Sequence, residues 1–211
     1  MVPLELEALR DPLRLHLGCG RRFIPGFVHV DVAEFAHIDY RRPIEDLAVF
    51  EDRSADLIYC CHAFEYFDRS EAPKVLREWK RVLKTGGILR LAVPDFAALV
   101  EVYHRSGDIA RILGPLYGRI EVNASAPSIL YHRTTYDFSS LRSTLEAAGF
   151  TSVRRYDWRT TSHNDVDDFS QAYFPHMDKE HGLLTSLNVE AQNGSIGIRQ
   201  RAFAEDIRKV I

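Results

Sequence analysis

Residues 13–32, with the sequence LRLHLGCGRRFIPGFVHVDV, constrain the fold of this chain most strongly. Two short apolar runs, each typical of a buried strand, flank the turn Gly18-Cys19-Gly20, and Asp31 closes the second run. A glycine turn at the end of a buried parallel strand lets backbone N–H groups approach a ligand without a Cβ in the way. A carboxylate at the end of the next strand can accept hydrogen bonds from ribose hydroxyls. The pattern therefore predicts a nucleoside-shaped ligand across the carboxyl edge of a parallel sheet.

The connection between these two strands is short. Only residues 18–26 separate them, fewer than the dozen or so residues that a helical crossover normally takes, so the first helix is reduced to about one turn. Further along, Val75, Leu76, Trp79, Val82 and Leu83 form one apolar stripe and predict an amphipathic helix. Ser70 is its expected N-cap, and Gly86-Gly87 its expected end.

Strand and helix patterns alternate over the rest of the chain. Other strands are predicted near 37–39 and over 55–60, 88–93, 153–158 and 183–190, and other helices over 96–103, 109–117 and 139–148. Asp95 is the expected N-cap of the helix that begins at Phe96. This order predicts an α/β, Rossmann-like fold with right-handed crossovers, a mostly parallel sheet and a terminal antiparallel hairpin.

Length and composition favour one domain over residues 1–211, with a lead-in over 1–12, a polar insert over 160–180 and a C-terminal helix over about 195–211. That helix can pack on the core or on a second copy in a homodimer, and the sequence leaves both open. A net charge of −3 gives no reason to expect a nucleic-acid partner. We also expect no membrane span. The three cysteines form no disulfide framework, so a cytoplasmic location is the simplest expectation.

Six segments appear in the order found in a known family. They are LHLGCG (15–20), HVDV (29–32), SADLIYCCHAFEYF (54–67), REWKRVLKTGGILRLAVPD (77–95), YDFSSLRSTLEAAGF (136–150) and SLNVEA (186–191). Together they resemble the class I S-adenosylmethionine (SAM)-dependent methyltransferases. The resemblance is greatest to small bacterial methyltransferase-like proteins that are often linked to surface-sugar biosynthesis. It implies an enzyme that uses SAM as its cofactor.

The resemblance also implies roles for individual residues. The cofactor-binding set would run from the glycine turn, under the methionine part of SAM, to the ribose, the adenine and the methyl-transfer site: Gly18, Cys19, Gly20, Asp31, Ile44, Glu45, Cys60 and Cys61. Three positions depart from the family pattern. His16 replaces the usual acid before the turn, and Arg22 replaces a third glycine. Pro43 replaces the acid that often reaches the adenine amino group, so Glu45 or Asp46 would take that part.

Two other ligand classes fit less well. A nicotinamide site wants G-x-G-x-x-G with its acid about 20 residues further on, whereas Phe23 holds the third glycine position and Asp31 comes too soon. The insert is rich in histidine and aspartate, which are good metal ligands, but no spacing matches a known metal site. We therefore predict no metal.

The residues at the methyl-acceptor side allow two interpretations each. His62 can act as a general base for a hydroxyl, or it can be a structural histidine with Glu65 as a nearby partner. Tyr131 and His132 can contact the acceptor or belong to a structural loop. The insert is expected to cover the acceptor pocket, with Tyr173 and Phe174 supplying apolar contact.

The predicted function is transfer of a methyl group from SAM to a hydroxyl of a small polar acceptor, such as a sugar. His62 is the candidate base, and His132 and Tyr131 are the candidate substrate contacts. One alternative keeps SAM and changes the acceptor to a nitrogen or a macromolecule. Another makes the chain a non-catalytic binding or scaffold protein with the same fold.

Overall fold

A computed structural model describes residues 11–122 and 128–194. Its centre is a seven-stranded sheet in the order β3-β2-β1-β4-β5-β11-β8. These strands are β1 (Arg14–Leu17), β2 (Val28–Asp31), β3 (Tyr40–Arg41), β4 (Ala55–Cys61), β5 (Leu83–Pro94), β8 (Thr151–Arg155) and β11 (Ser186–Gln192). All neighbours pair in parallel except β11, which is antiparallel to both β5 and β8. The mostly parallel α/β sheet with a closing antiparallel hairpin is therefore confirmed.

The remaining elements lie around this sheet. The helices are α1 (Ala72–Val82), α2 (Phe96–Ser106), α3 (Ala110–Tyr117) and α4 (Phe138–Ala147). Two small hairpins pair β6 (Ile120–Val122) with β7 (Ser128–Leu130), and β9 (Tyr173–Phe174) with β10 (Leu183–Leu184). The predicted C-terminal helix, and with it the homodimer, lies outside the described residues. None of the helices in the described ranges is long and apolar enough to cross a bilayer.

One face of the sheet carries the main core. Alternate residues of the strands, among them Leu15, Leu17, Ile58 and Leu91, pack against the buried sides of α1 and α4. The apolar stripe of α1 is buried as its spacing predicts, and the indole N–H of Trp79 donates to the carbonyl of Ile44 at 2.7 Å. Asp95 accepts the N–H of Ala97 and caps α2, as expected.

The ends of α1 differ from the prediction. The N-cap position belongs to Glu71, not Ser70, because Pro73 fits the first helical turn and the Ser70 hydroxyl donates to Asp68 instead. The helix ends at Val82, and Leu83 is already extended. Gly86 and Gly87 therefore lie within β5, where Gly86 has a φ of +80°.

Two strand predictions also shift. The strand expected near 37–39 lies at Tyr40–Arg41, where Val30 and Asp31 of β2 supply its pairing partners. The strand expected over 183–190 divides, because Leu183–Leu184 pairs with β9 and only the segment from Ser186 joins the main sheet.

The second face of the sheet lacks early helices. No helix lies between β1 and β4 within residues 14–61, which confirms the predicted truncation. The 160–180 segment covers this face instead: Val166 packs on the cluster around Phe27 and Tyr59. The Tyr59 hydroxyl donates to the carboxylate of Asp168 at 2.6 Å. His16 stacks on Tyr59 here, and burial followed by the nearby His29 lowers its pKa to about 3.

Candidate active site

The glycine turn after β1 is a bend closed by backbone contacts. The N–H of Gly18 donates to the carbonyl of Val30 at 2.9 Å. Gly18 and Gly20 have φ values of +65° and +52°, in the left-handed region that favours glycine. A Cβ on Gly18 would come within 2.4 Å of the Cβ of Ala63, which follows β4. The bend therefore needs glycine at position 18 both for its backbone angle and for space.

Asp31 points at this bend. Its Oδ2 accepts the N–H of Gly20 at 2.7 Å, and its Oδ1 accepts the N–H of Ala33 at 2.8 Å. The residue is 7% exposed. A carboxylate has about four lone-pair sites, and the described residues use two of those of Asp31. The acid and the bend adjoin, as the sequence predicts.

The three cysteines lie at or near the same strand ends, but they are not nucleophiles. Cys19 lies in the bend, and burial, reinforced by Asp31, raises its thiol pKa to about 12. Burial raises the pKa of Cys60 and Cys61 far above the ordinary value as well. Because a thiol reacts as its thiolate, these side chains are inert at neutral pH. They can contribute surface to a site, but no reactive group.

The two residues assigned to the adenine end are placed differently. Ile44 is buried, and its Cδ1 lies 3.7 Å from the position of a Cβ on Gly18, so the structure brings it to the bend. Glu45 is exposed on the following turn. Its neighbour Asp46 is held by Arg42 at 2.5 Å, and this hydrogen bond lowers the pKa of Asp46.

His62 directly follows the last residue of β4, the strand that pairs with β1 and ends beside the bend. Its φ of +51° is unusual for a non-glycine residue, and its N–H donates to the carbonyl of Ala92 at 2.8 Å. The ring Nε2 lies 3.1 Å from the hydroxyl of Ser186, and the ring centroid lies 5.4 Å from that of Phe169. Burial, and then the nearby His132, lowers its pKa to about 3. His62 is therefore neutral at physiological pH.

Glu65 is the group that sequence reasoning underrated. Its side chain is fully buried, and both carboxyl oxygens lack a hydrogen-bond partner in the described structure. Oε1 lies 3.5 Å from His62 Nδ1 and 3.5 Å from His132 Nε2. Burial raises the Glu65 pKa to about 8. A signal was present, because this acid stands between Phe64 and Tyr66 in an otherwise apolar turn.

The two substrate-side candidates separate in the structure. His132 is buried beside Glu65, and its Nδ1 lies 2.9 Å from the carbonyl of Pro115 at the end of α3. Tyr131 is 47% exposed. Only His132 therefore adjoins the group around His62.

The histidine-rich insert forms no metal cluster in the structure. Over residues 11–122 and 128–194, no three His, Cys, Asp or Glu side chains are arranged to hold a metal ion. His163 packs on Tyr59, with ring centroids 4.5 Å apart, and burial lowers its pKa to about 4. Tyr173 accepts the indole N–H of Trp158 at 3.2 Å, and Phe174 packs beside α2 and α3. Both aromatic residues thus contact protein.

A family model for a methyltransferase domain matches residues 26–91, from before β2 into β5. Over these residues the chain is similar to a methyltransferase domain. SAM is accordingly its cofactor, and the chain is an enzyme of the methyltransferase class. No curated protein matches the sequence significantly.

Solved structures share the fold of this methyltransferase domain at low identity. A SAM-dependent methyltransferase from Archaeoglobus fulgidus is 16% identical with a TM-score of 0.51, covering 89% of this chain and 89% of that one. A possible histamine N-methyltransferase from Thermotoga maritima is 15% identical, with a TM-score of 0.51 and coverage of 89% and 86%.

The 1,6-didemethyltoxoflavin-N1-methyltransferase of Burkholderia thailandensis, solved with bound 1,6-didemethyltoxoflavin and S-adenosylhomocysteine, is 12% identical with a TM-score of 0.51. The match covers 91% of this chain and 75% of that one. At these identities the likeness shows the fold alone. It does not identify the acceptor of this chain.

Proposed function

We propose that this chain transfers the methyl group of SAM to a hydroxyl of a small polar acceptor, such as a sugar. The observation that carries the proposal is the hydrogen bond at the end of β4, where a hydroxyl, that of Ser186, lies 3.1 Å from an imidazole nitrogen of His62. An acceptor hydroxyl in the place of Ser186 would meet the same nitrogen, which takes its proton in the tautomer that leaves Nε2 a lone pair. A nitrogen acceptor in its neutral amine form would not need a group of this kind to carry out the attack.

The residues at the bend fit SAM. Gly18, Cys19 and Gly20 present backbone and a neutral thiol, and Asp31 presents its carboxylate beside them. In this proposal Asp31 accepts the ribose hydroxyls. In the same proposal Ile44 packs near the adenine, and Glu45 or Asp46 binds its amino group. Cys60 and Cys61 line the neighbouring strand end as neutral groups.

When bound, SAM supplies a methyl group on a positively charged sulfur: the acceptor oxygen's lone pair bonds to the methyl carbon, the C–S electron pair stays on sulfur, and one proton leaves the acceptor oxygen. The chain's own part is to align the reactants, which can account for roughly 7–11 kcal/mol of barrier lowering. His62 is the candidate base for the departing proton, and His132 and Tyr131 stay candidate acceptor contacts. Base catalysis adds about a hundredfold to ten-thousandfold where it operates.

The SAM site is tested first by the variant Asp31→Ala. Loss of charged hydrogen bonds to a ligand costs about 1.5–3 kcal/mol, so we expect SAM to bind about tenfold to a hundredfold more weakly in isothermal titration. Asp167→Ala, which removes an exposed carboxylate of the insert, is the matched control and should bind SAM as the natural chain does. Thermal unfolding checks that both variants are folded. Unchanged SAM affinity in a folded Asp31→Ala variant would contradict the assignment.

The acceptor is tested with matched pairs, each a monosaccharide and the amino sugar that differs from it by one nitrogen. Release of S-adenosylhomocysteine is followed by mass spectrometry, and the methylated atom is identified in the product by NMR. We expect O-methylated products. A product methylated on nitrogen would favour the alternative acceptor class. A chain that binds no SAM and releases no S-adenosylhomocysteine would be a scaffold.

A further inference from the structure

Glu65 lies between two imidazoles whose hydrogen positions are fixed by their other contacts. His132 Nδ1 lies 2.9 Å from the carbonyl of Pro115. A carbonyl only accepts, so Nδ1 carries the hydrogen and Nε2 of the neutral ring presents a lone pair. That Nε2 is the atom 3.5 Å from Glu65 Oε1.

A chain of three hydrogen bonds fixes His62 in the same way. The amide Nδ2 of Asn188 donates to the carbonyl of Ser170 at 2.8 Å, so its Oδ1 faces Ser186. The Ser186 hydroxyl, 2.9 Å from that oxygen, must donate to it and therefore accepts from His62 Nε2. Nε2 carries the hydrogen, and Nδ1 presents its lone pair to Glu65 at 3.5 Å.

A buried carboxylate that faces two ring lone pairs, with its own backbone N–H as the nearby donor, is electrostatically unfavourable. A protonated carboxyl in that place can donate its hydrogen to either ring. The geometry therefore favours a proton on Glu65 in this arrangement. The same arrangement leaves His62 without a free lone pair at Nε2, the nitrogen that meets the Ser186 hydroxyl.

We propose that Glu65 is a positioning residue for methyl transfer, which on losing its proton selects the His62 tautomer with a hydrogen on Nδ1 and a free lone pair on Nε2. The inference rests on the proposed role of His62. In the ionised state Nδ1–H donates to the Glu65 carboxylate. The Ser186 hydroxyl then turns its hydrogen from Asn188 Oδ1 to Nε2. An acceptor hydroxyl that replaces Ser186 at Nε2 gives this nitrogen its proton, and the carboxylate stabilises the resulting imidazolium. The proton leaves afterwards to solvent, which restores the starting state.

Glu65 is the group around this site that titrates nearest to neutral pH. Its pKa is raised to about 8 by burial. The other titratable groups facing it are His62, His132, Tyr66, Tyr136, Cys60 and Cys61. Burial lowers the pKa of the two histidines, raises that of Tyr136 to about 12, and raises those of Tyr66 and both cysteines. All six are therefore neutral while Glu65 loses its proton.

The direct test is the tautomer of His62, read from its ring ¹⁵N chemical shifts by NMR with no acceptor present. We expect the hydrogen to move from Nε2 to Nδ1 with a midpoint near the Glu65 pKa of about 8. In Glu65→Gln, which keeps the size of the side chain and cannot ionise, we expect one tautomer throughout. A His62 tautomer that does not change with pH in the natural chain would overturn the proposal, even if the variant fails to fold.

The catalytic consequence is a rise in turnover with pH. Once an acceptor is identified, kcat of the natural chain should increase roughly tenfold or more from about pH 6.5 to about pH 9. The Glu65→Gln variant should lose that dependence on pH, while its SAM affinity stays unchanged. A Glu65→Gln profile that keeps the rise would overturn the proposal. Failure of the proposed function is a separate result, because it would appear as missing turnover with hydroxyl acceptors while the tautomer change persists.

His132 is tested by a neighbouring glycine. A Cβ on Gly118 would come within 1.9 Å of His132 Nε2, so Gly118→Ala should displace this ring and shift the midpoint of the His62 tautomer change. Gly107→Ala is the matched control, because Gly107 has a similar φ of +62° and open space where its Cβ would stand. Equal midpoints in the two variants would remove His132 from the proposal.

Discussion

Gly18 shows how much one missing Cβ can determine. A side chain there would have to adopt a φ of +65° and would also meet Ala63 at 2.4 Å, in the space where two strand ends adjoin. The two strand ends can approach each other this closely only because that atom is absent. The candidate site thus depends on the absence of a side chain at position 18 as much as on the placement of functional groups.

Gly18→Ala separates these two effects when it is compared with Gly26→Ala. Both positions have a positive φ, but a Cβ on Gly26 meets nothing within 4 Å. A left-handed backbone costs a non-glycine residue about 1–2 kcal/mol, so both variants should lose that much stability. We expect Gly18→Ala alone to lose further stability and also SAM affinity, as measured by thermal unfolding and by titration. Equal losses in the two variants would show that the contact with Ala63 is unimportant.

The insert over 160–180 acts as a replacement for missing helices. Crossover helices normally cover both faces of a parallel sheet, but none of the connections between β1 and β4 forms a helix. The insert reaches the uncovered face through Asp168, whose carboxylate accepts the Tyr59 hydroxyl at 2.6 Å and the Ser170 N–H at 2.9 Å. It also carries Phe169 to the ring of His62. Coverage of the sheet and construction of the candidate site are thus linked in one segment.

Tyr59→Phe measures the contribution of the insert's main anchor. Removal of the hydroxyl leaves a buried carboxylate oxygen without its donor, which costs about 1–3 kcal/mol. Tyr156→Phe is the matched control, because the Tyr156 hydroxyl is buried with no hydrogen-bond partner in the described structure. We expect urea unfolding to show a clear loss of unfolding free energy for Tyr59→Phe and little or none for Tyr156→Phe. Similar losses in both would mean that the Asp168 contact does not anchor the insert.

Local patterns account for what the sequence predicted at this scale. The stripe that contains Trp79 and the turn that ends in Gly20 are short-range signals, and both elements are found where expected. The position of the insert depends instead on a contact between Tyr59 and Asp168, which are 109 residues apart. The environment of Glu65 depends in the same way on His132, which arrives only after α2 and α3. No local spacing encodes such pairs. The sequence therefore predicted a covering insert and a partner for His62, but neither the Tyr59–Asp168 contact nor the burial of Glu65 between two histidines.

Across the whole molecule, buried titratable groups act on stability in opposite directions. Burial lowers the pKa of His16 and His62 from 6.5 to about 3, and that of His163 from 6.5 to about 4. It raises the pKa of Glu65 from 4.5 to about 8. The unfolded chain therefore binds more protons than the folded chain at the histidines, and fewer at the glutamate.

Stability should consequently be greatest near pH 6.5 and fall on both sides. As the pH falls below 6.5 toward about 4, the unfolded histidines gain protons that the folded ones do not, and each lowers the unfolding free energy by up to about 1.4 kcal/mol per pH unit. Between pH 4.5 and 6.5 the protonated Glu65 partly offsets this, and from 6.5 to about 8 it makes stability fall as the pH rises. Urea midpoints across this range should show the maximum.

Two variants assign the two sides of the profile. Glu65→Gln should flatten the alkaline side alone, and His163→Gln should reduce the slope of the acid side alone. A natural chain whose stability still rises toward pH 8 would show that Glu65 is ionised when buried.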